Sequence, residues 1–205
     1  LLLQAGLSVS LFEAHIYPGG SAGTFYHQGY RFDAGATLAG GFLKEGPHQK
    51  IAEYLGIDFG GLPVDPAWLV HLPDKKIFQW RNRYQWQQER LDKFPGTEPF
   101  WQKQEQLANL SWKLSQQHFP YPPQSLNEII SLLHLIHPKY IPLIPNLNKS
   151  IEGLKKNAIS PTLKTFLDAQ LLISAQTTSK YANAIYGSAA LDLPRRGVVY
   201  LKGGM

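Results

Sequence analysis

The 205-residue chain contains no cysteine, which removes disulfides, thiol nucleophiles and cysteine-rich metal sites together. It also lacks any apolar run approaching the roughly 18 residues that a membrane-spanning helix requires, so membrane contact is expected only at a surface. No signal peptide is visible: Leu1–Leu3 carries no basic flank. Despite a net charge of +5, there is no polybasic run and no platform of stacked aromatics. The basic residues are scattered apart from short pairs such as Lys75–Lys76, Lys155–Lys156 and Arg195–Arg196. Nucleic acid is therefore not an expected partner. The histidines show no ligand spacing supported by Asp or Glu on a common face, and no metal site is expected. His134 and His137, three apart, read as an interfacial or partly buried pair rather than as ligands. No Ser–His–Asp arrangement stands out either.

What is present is ordinary globular material, 43% hydrophobic and 17% charged, enough for one core or two small domains. The chain is organised around Leu11–Thr37, LFEAHIYPGGSAGTFYHQGYRFDAGAT. Leu1–Gly6 reads as the last turn of a helix closed by Gly6, and Leu7–Phe12 as a short buried strand ending at Glu13. A carboxylate at the end of a parallel strand is where a dinucleotide fold holds a ribose. Close approach of a cofactor diphosphate to backbone needs residues without bulky side chains. Pro18-Gly19-Gly20-Ser21-Ala22-Gly23-Thr24 supplies them. Taken singly, Glu13 also suits a solvated surface carboxylate and Gly19-Gly20 a plain turn. The ordered combination, with Tyr30-Arg31-Phe32-Asp33-Ala34-Gly35 close behind, carries the reading.

Further along, Tyr26–Phe32 reads as two extended edges turning at Gln28-Gly29, and His48–Gly56 as a short amphipathic helix. Asp65–Leu72 and Ile77–Trp80 read as a hairpin joined by Pro73-Asp74-Lys75-Lys76. Helices are expected over Tyr84–Phe94, over Thr97–Gln117 with Thr97 as N-cap, and over Leu126–Ile136 behind a Ser125/Glu128 capping box. Two more are expected over Leu147–Ala158 and Pro161–Ser174, the latter capped by Ser160. Ala182–Ala190 is rich in small residues and suited to close packing. Val198–Leu201 reads as a strand entering a Gly203-Gly204 turn. The tryptophans suit either core or the wall of an apolar tunnel. Ile129–Leu147, the most apolar part, reads as a surface-inserting patch or as the lid or core of a helical domain.

The stretch containing Glu13, Pro18, Gly19, Gly20, Gly29, Tyr30, Phe32, Asp33 and Gly35 resembles the N-terminal region of the flavin-dependent phytoene desaturase and carotenoid isomerase group, within the wider amine-oxidase-like flavoproteins. That group shows a strand ending in Glu, then PGG, a spacer and G-[FY]-x-F-D-x-G. The Trp- and Pro-rich middle looks like bacterial and cyanobacterial carotenoid desaturases, and Gly203-Gly204-Met205 like the group's G-G-M turn. The resemblance is strong for about the first forty residues and diffuse afterwards.

It implies FAD as cofactor, with Glu13 on the adenosine ribose and Gly19, Gly20, Ser21, Ala22, Gly23 and Thr24 along the diphosphate and flavin side. Many relatives carry Arg after the paired glycines; Ser21 stands there in this chain, so that contact is absent or supplied elsewhere. The implied fold is α/β: a partial Rossmann-like FAD-binding domain over 1–62, a mixed, mainly helical substrate domain with a hairpin over 63–196, and a return toward the first domain over 197–205. The implied activity is FAD-dependent desaturation of a carotenoid or related polyene, by loss of hydride and proton from adjacent carbons. Flavin-dependent cis–trans isomerisation and a non-catalytic remnant without FAD are the alternatives. The resemblance names no catalytic residue here. The chain is expected to be a fragment, without the Gly-x-Gly-x-x-Gly turn and a later segment of the flavin site, and to bind FAD poorly by itself. The expected partners are a hydrophobic polyene and a membrane surface reached through Ile129–Leu147. The expected location is cytoplasmic or peripheral-membrane, in a bacterium of cyanobacterial type.

Overall fold

The computed structural model describes residues 1–44, 46–117, 123–133 and 137–205. Strands occur at β1 (Thr24–His27), β2 (Tyr30–Asp33), β3 (Ala39–Gly40), β4 (Gly61–Val64), β5 (Trp68–His71), β6 (Lys76–Gln79) and β7 (Val198–Leu201). Helices occur at α1 (Pro47–Leu55), α2 (Arg83–Lys93), α3 (Glu98–Ser115), α4 (Leu126–Leu133), α5 (Pro161–Ser174), α6 (Ala184–Leu191) and α7 (Leu193–Arg196). The fold is mixed α/β and divides into two compact units. One comprises Leu1–Trp68, Gln79–Arg81 and Pro194–Met205, the other Leu69–Phe78 and Asn82–Leu193.

The first unit begins with a helical turn that closes at Gly6, whose φ of 80° lies in the left-handed region. The Gly6 amide donates to the Leu3 carbonyl and the Leu7 amide to that of Leu2, the paired bonds of a Schellman ending. Leu7–Phe12, expected as a buried strand, has no regular structure. Extended backbone becomes a strand only beside a neighbour that completes its hydrogen-bond ladder. No described strand pairs with this stretch, and Leu11 and Phe12 remain 90% and 91% exposed.

The β1–β2 hairpin forms as expected, in the register Thr24↔Asp33 to His27↔Tyr30. Its turn has positive φ at both Gln28 and Gly29, the geometry that matches strand twist in two-residue hairpins. A second sheet has the order β3-β7-β4, antiparallel throughout. The middle place belongs to the last strand in the chain, and its Val198 and Val199 are buried. Gly61 lets β4 approach β7: a Cβ there would lie 3.1 Å from Val199 Cγ2.

The second unit holds the β5–β6 hairpin and the helical bulk. Asn82 caps α2, its side-chain oxygen accepting from the Tyr84 and Gln85 amides. Thr97, expected to cap α3, instead donates its hydroxyl to the Phe94 carbonyl and accepts from Trp101 Nε1. It ties the preceding turn to an indole rather than satisfying the helix start. At α4, Ser125 accepts from the Glu128 amide, while the Glu128 carboxylate reaches past Ser125 to the Gln124 amide. Ser160 caps α5 as expected. Trp86 and Trp101 are core: they pack with Phe94, Phe100 and Phe166 at ring separations of 5.1–6.4 Å.

The helix expected over Leu147–Ala158 is absent, apart from a 3-10 turn at Lys156–Ala158. The amides that would build it are used elsewhere: Ile151 donates to Ala182 and Glu152 to Ser179, while the Lys149 carbonyl accepts from Ala184. Distant partners thus replace the i−4 ladder. Ala182–Ala190 packs as its small residues indicate; a Cβ on Gly187 would come within 2.6 Å of Ile151 Cγ1. Within the apolar Ile129–Leu147 stretch, residues 134–136, including His134, lie outside the described residues. Pro138–Asn146 is a 3-10 segment, since Pro142 and Pro145 have no amide to give an α ladder.

Candidate functional site

The loop between Glu13 and β1 is folded by its own backbone. Gly19 and Gly20 have φ of 105° and 56°, conformations that other L-residues adopt at a cost. They start a 3-10 turn over Gly20–Ala22. Two strands of contact pin that turn against the end of β2: the Ala34 amide donates to the Gly23 carbonyl and the Ala36 amide to that of Ser21. Glycine is required at both crossings. A Cβ on Gly23 would lie 2.8 Å from the Pro18 carbonyl oxygen, and one on Gly35 would lie 2.6 Å from that of Ser21.

Glu13 sits at the mouth of this loop, exposed. Its Oε1 accepts from the His15 amide at 2.9 Å. That hydrogen bond, helped by the amides of Ala14 and Gly19, holds the carboxyl below its ordinary value, so it is ionised at neutral pH. The structure thus brings Glu13 and Gly19 together. Thr24, half-buried, donates its hydroxyl to Asp33 Oδ1 at 2.8 Å and lies 3.2 Å from the Met205 carbonyl. A Cβ on Gly204 would collide with Thr24, so the Gly203-Gly204 turn sits directly against the base of the hairpin.

A cleft of about 510 Å³ opens beside the loop, lined by His15, Tyr17, Gly20, Gly23, Thr24, Phe25 and Ala34. Of the residues expected at a site, Gly20, Gly23 and Thr24 line it. Gly19, Ser21 and Ala22 instead shape the turn behind, and Glu13 does not line it but binds the amide of His15, which does. Gly20 is open: no atom lies within 4 Å of where its Cβ would be, so a side chain there would project freely. His15, Tyr17 and Phe25 were not singled out by the sequence reading. Their rings run in a row with Phe32, at successive separations of 5.8, 6.3 and 5.6 Å. The Tyr17 hydroxyl donates to the Tyr26 carbonyl and fixes this wall to the hairpin. The only sequence signal for the wall was aromatics flanking the paired glycines. Asp33 was visible as part of the G-[FY]-x-F-D pattern, but its bond to Thr24 was not.

Among the described residues, no group of three or more His, Asp or Glu gathers as a metal site, and no helix is long and apolar enough to cross a membrane.

Residues 1–55, which contain the loop and its hairpin, match the family of NAD(P)-binding Rossmann-like domains. Over its full length the chain is 25% identical to prolycopene isomerase 1, chloroplastic, and to prolycopene isomerase 2, chloroplastic, both from an Oncidium hybrid cultivar. These alignments cover 100% of this chain and 36% of each relative, so the chain spans about a third of their length. The matches agree with the sequence resemblance to the carotenoid isomerase and desaturase group of flavoproteins. They pair the chain with chloroplastic relatives, where the resemblance pointed to a bacterial setting. No solved structure matches the chain.

Proposed function

We propose that this chain is part of an FAD-dependent oxidoreductase-type enzyme acting on a carotenoid or related polyene. The observation that carries the reading is the cleft beside Gly20, Gly23 and Thr24, which lies in the segment matching a dinucleotide-binding family. Its size falls in the range of ligand pockets. The open position at Gly20 leaves backbone accessible to a diphosphate, which a side chain would obstruct. Ionised Glu13, bonded to the amide of the lining residue His15, is an acceptor suited to the paired hydroxyls of a ribose. Gly19, Ser21 and Ala22 hold the turn that presents these groups. FAD, when bound, supplies the two-electron chemistry. The chain's own part is to bind, orient and keep water from the cofactor; no residue of it is assigned a proton transfer. In this reading the first unit is the cofactor side and the second the substrate side.

Desaturation of the polyene is the reaction the sequence resemblance implies. Cis–trans isomerisation is the second reading, and the names of the two relatives favour it. The test uses the full-length protein. Flavin released on denaturation is identified by absorbance and mass, and products from a saturated precursor are resolved by chromatography. A longer conjugated system identifies desaturation, and a changed geometry at constant conjugation identifies isomerisation. A purified protein that neither carries nor takes up flavin refutes the FAD assignment, and one that takes up only NAD(P) replaces it.

A further inference from the structure

Thr24 and Asp33 stand directly opposite each other in the β1–β2 register, so their side chains share one face of the hairpin. The Thr24 hydroxyl donates to Asp33 Oδ1 at 2.8 Å, and the Met205 carbonyl lies 3.2 Å from the same hydroxyl. The Met205 amide reaches that Asp33 oxygen as well, at 3.4 Å. Gly204 permits this crossing, because a Cβ there would collide with Thr24. Thr24 is at the same time a wall residue of the cleft. One hydroxyl thus joins the cofactor loop, the second hairpin strand and the turn after β7.

Counting protons decides what Thr24 can offer. A hydroxyl has a single proton and two lone pairs. Both of its neighbours, the Asp33 carboxylate and the Met205 carbonyl, are acceptors. The shorter distance and the charge assign the proton to Asp33. Whichever of the two takes it, none remains for a ligand, so Thr24 can serve the cleft only as an acceptor. Charge points the same way. Among the described residues, no Lys or Arg forms an ion pair with Asp33. Arg31, two residues earlier on the same face, instead lies over the Tyr26 ring, 5.2 Å from its centroid. A diphosphate has acceptor oxygens and negative charge, so at Thr24 it finds no donor and a carboxylate that repels it. A sugar hydroxyl brings the proton that Thr24 lacks.

We infer that Asp33 is a positioning residue of the cleft: it holds the Thr24 proton, so that Thr24 accepts a hydrogen bond from a sugar-chain hydroxyl of the dinucleotide and this end of the cleft turns phosphate away. The inference rests on the FAD reading above. The full-length protein is titrated with FAD by flavin fluorescence, and the unfolding midpoint of each variant is recorded alongside. Thr24→Val removes the hydroxyl at a strand position that valine suits, and is expected to weaken FAD binding about tenfold. Thr24→Ser keeps the hydroxyl and should stay within about threefold of the wild type. Asp33→Ala loosens the hydroxyl and should weaken FAD binding about three- to tenfold. Asp33→Asn still offers an acceptor oxygen and should recover most of that loss. Added to Thr24→Val, Asp33→Ala should cost less than about twofold more, because the carboxylate acts through the hydroxyl. A residue that served the fold alone would not show this coupling. A Thr24→Val variant that binds FAD like the wild type overturns the inference and leaves the FAD reading standing. So do additive losses in the double variant. Tighter binding in Asp33→Asn also overturns it, since a phosphate would then lie against the carboxylate. A wild type that takes up no flavin overturns the FAD reading, and the inference falls with it. Should Asp33→Ala misfold, Thr24→Val and Asp33→Asn decide.

Discussion

Two glycines three residues apart separate the demands of the fold from those of the proposed cofactor. Gly20 has φ of 56° and open space where a Cβ would stand, on the wall of the cleft. Asn tolerates this left-handed conformation, so Gly20→Asn should cost about 1 kcal/mol of stability or less. That corresponds to roughly 2–4 °C in the unfolding midpoint for a chain of this size. Its side chain would nonetheless occupy the space through which a diphosphate reaches the backbone. Loss of one hydrogen bond to an ionised group is worth about 1.5–3 kcal/mol, so the FAD dissociation constant should rise about ten- to hundredfold. Gly23 behaves in the opposite way. Its φ of −86° and ψ of 158° suit any residue, so the cost of Gly23→Ala is purely steric. The new methyl would meet the Pro18 and Gly20 carbonyl oxygens at 2.8 and 3.0 Å, and backbone atoms cannot rotate aside. About 1–3 kcal/mol of destabilisation follows. Thermal unfolding and titration of flavin fluorescence on the full-length protein read both variants. Wild-type FAD affinity in Gly20→Asn would refute the placement of the cofactor against this wall. Wild-type stability in Gly23→Ala would refute the packing argument for the turn.

Other substitutions test the second unit. Gly187→Ala gains up to about 1 kcal/mol of helix propensity but drives a methyl to 2.6 Å from the buried Ile151 Cγ1. Overpacking of about 1–3 kcal/mol should win, and Ile151→Val in the same chain should recover part of the loss in a double-mutant cycle. Asn183→Ala removes the cap on Ile185 and Tyr186 together with the bond to the Leu147 carbonyl; about 2 kcal/mol should be lost in denaturant unfolding. Lys164 donates to Glu152 at 2.8 Å, with Asp168 at 3.7 Å, and the Glu152 bond is the main cause of its raised pKa. The folded state holds that proton more tightly, so the stabilisation is complete below 10.5 and fades as pH rises through the raised value. Lys164→Gln should flatten this alkaline fall in the unfolding midpoint, and an unchanged fall would mean another group causes it.

Local chemistry was legible in the sequence wherever neighbours in the chain decide the structure. Gln28-Gly29 turned the hairpin, Gly6 and Gly56 ended their helical turns in the left-handed region, and Ser160 capped α5. Sequence reasoning went astray where distant residues compete. Leu147–Ala158 has helical composition, but its Ile151 and Glu152 amides and its Lys149 carbonyl bond to the 179–184 segment. Leu7–Phe12 has strand composition, but a strand is a property of a pair. Thr97 has the chemistry of a cap and uses it on an indole. The site divides along the same line. The glycines of the loop could be read from their turn, and three of the expected residues reach the cleft. The aromatic wall depends on a hydrogen bond from Tyr17 to a strand nine residues away, which no local pattern announces.

The order of the β3-β7-β4 sheet has a consequence for synthesis. Its middle strand is the last to be made, and the two outer strands cannot pair with each other across the gap. After Val64 leaves the ribosome, roughly 130 further residues must be added before Val198 exists. At about 5–20 residues per second, that is on the order of 7–26 s. Throughout that interval Ala39–Gly40 and Gly61–Val64 lack their sheet partner, while the helices between Asn82 and Leu193 are themselves being made, α6 only a few residues ahead of Val198. Both units therefore close late, the second when α6 is made and the first a few residues afterwards. Its early half is what a chaperone would meet, and Val198–Leu201 is the strand whose arrival ends that exposure.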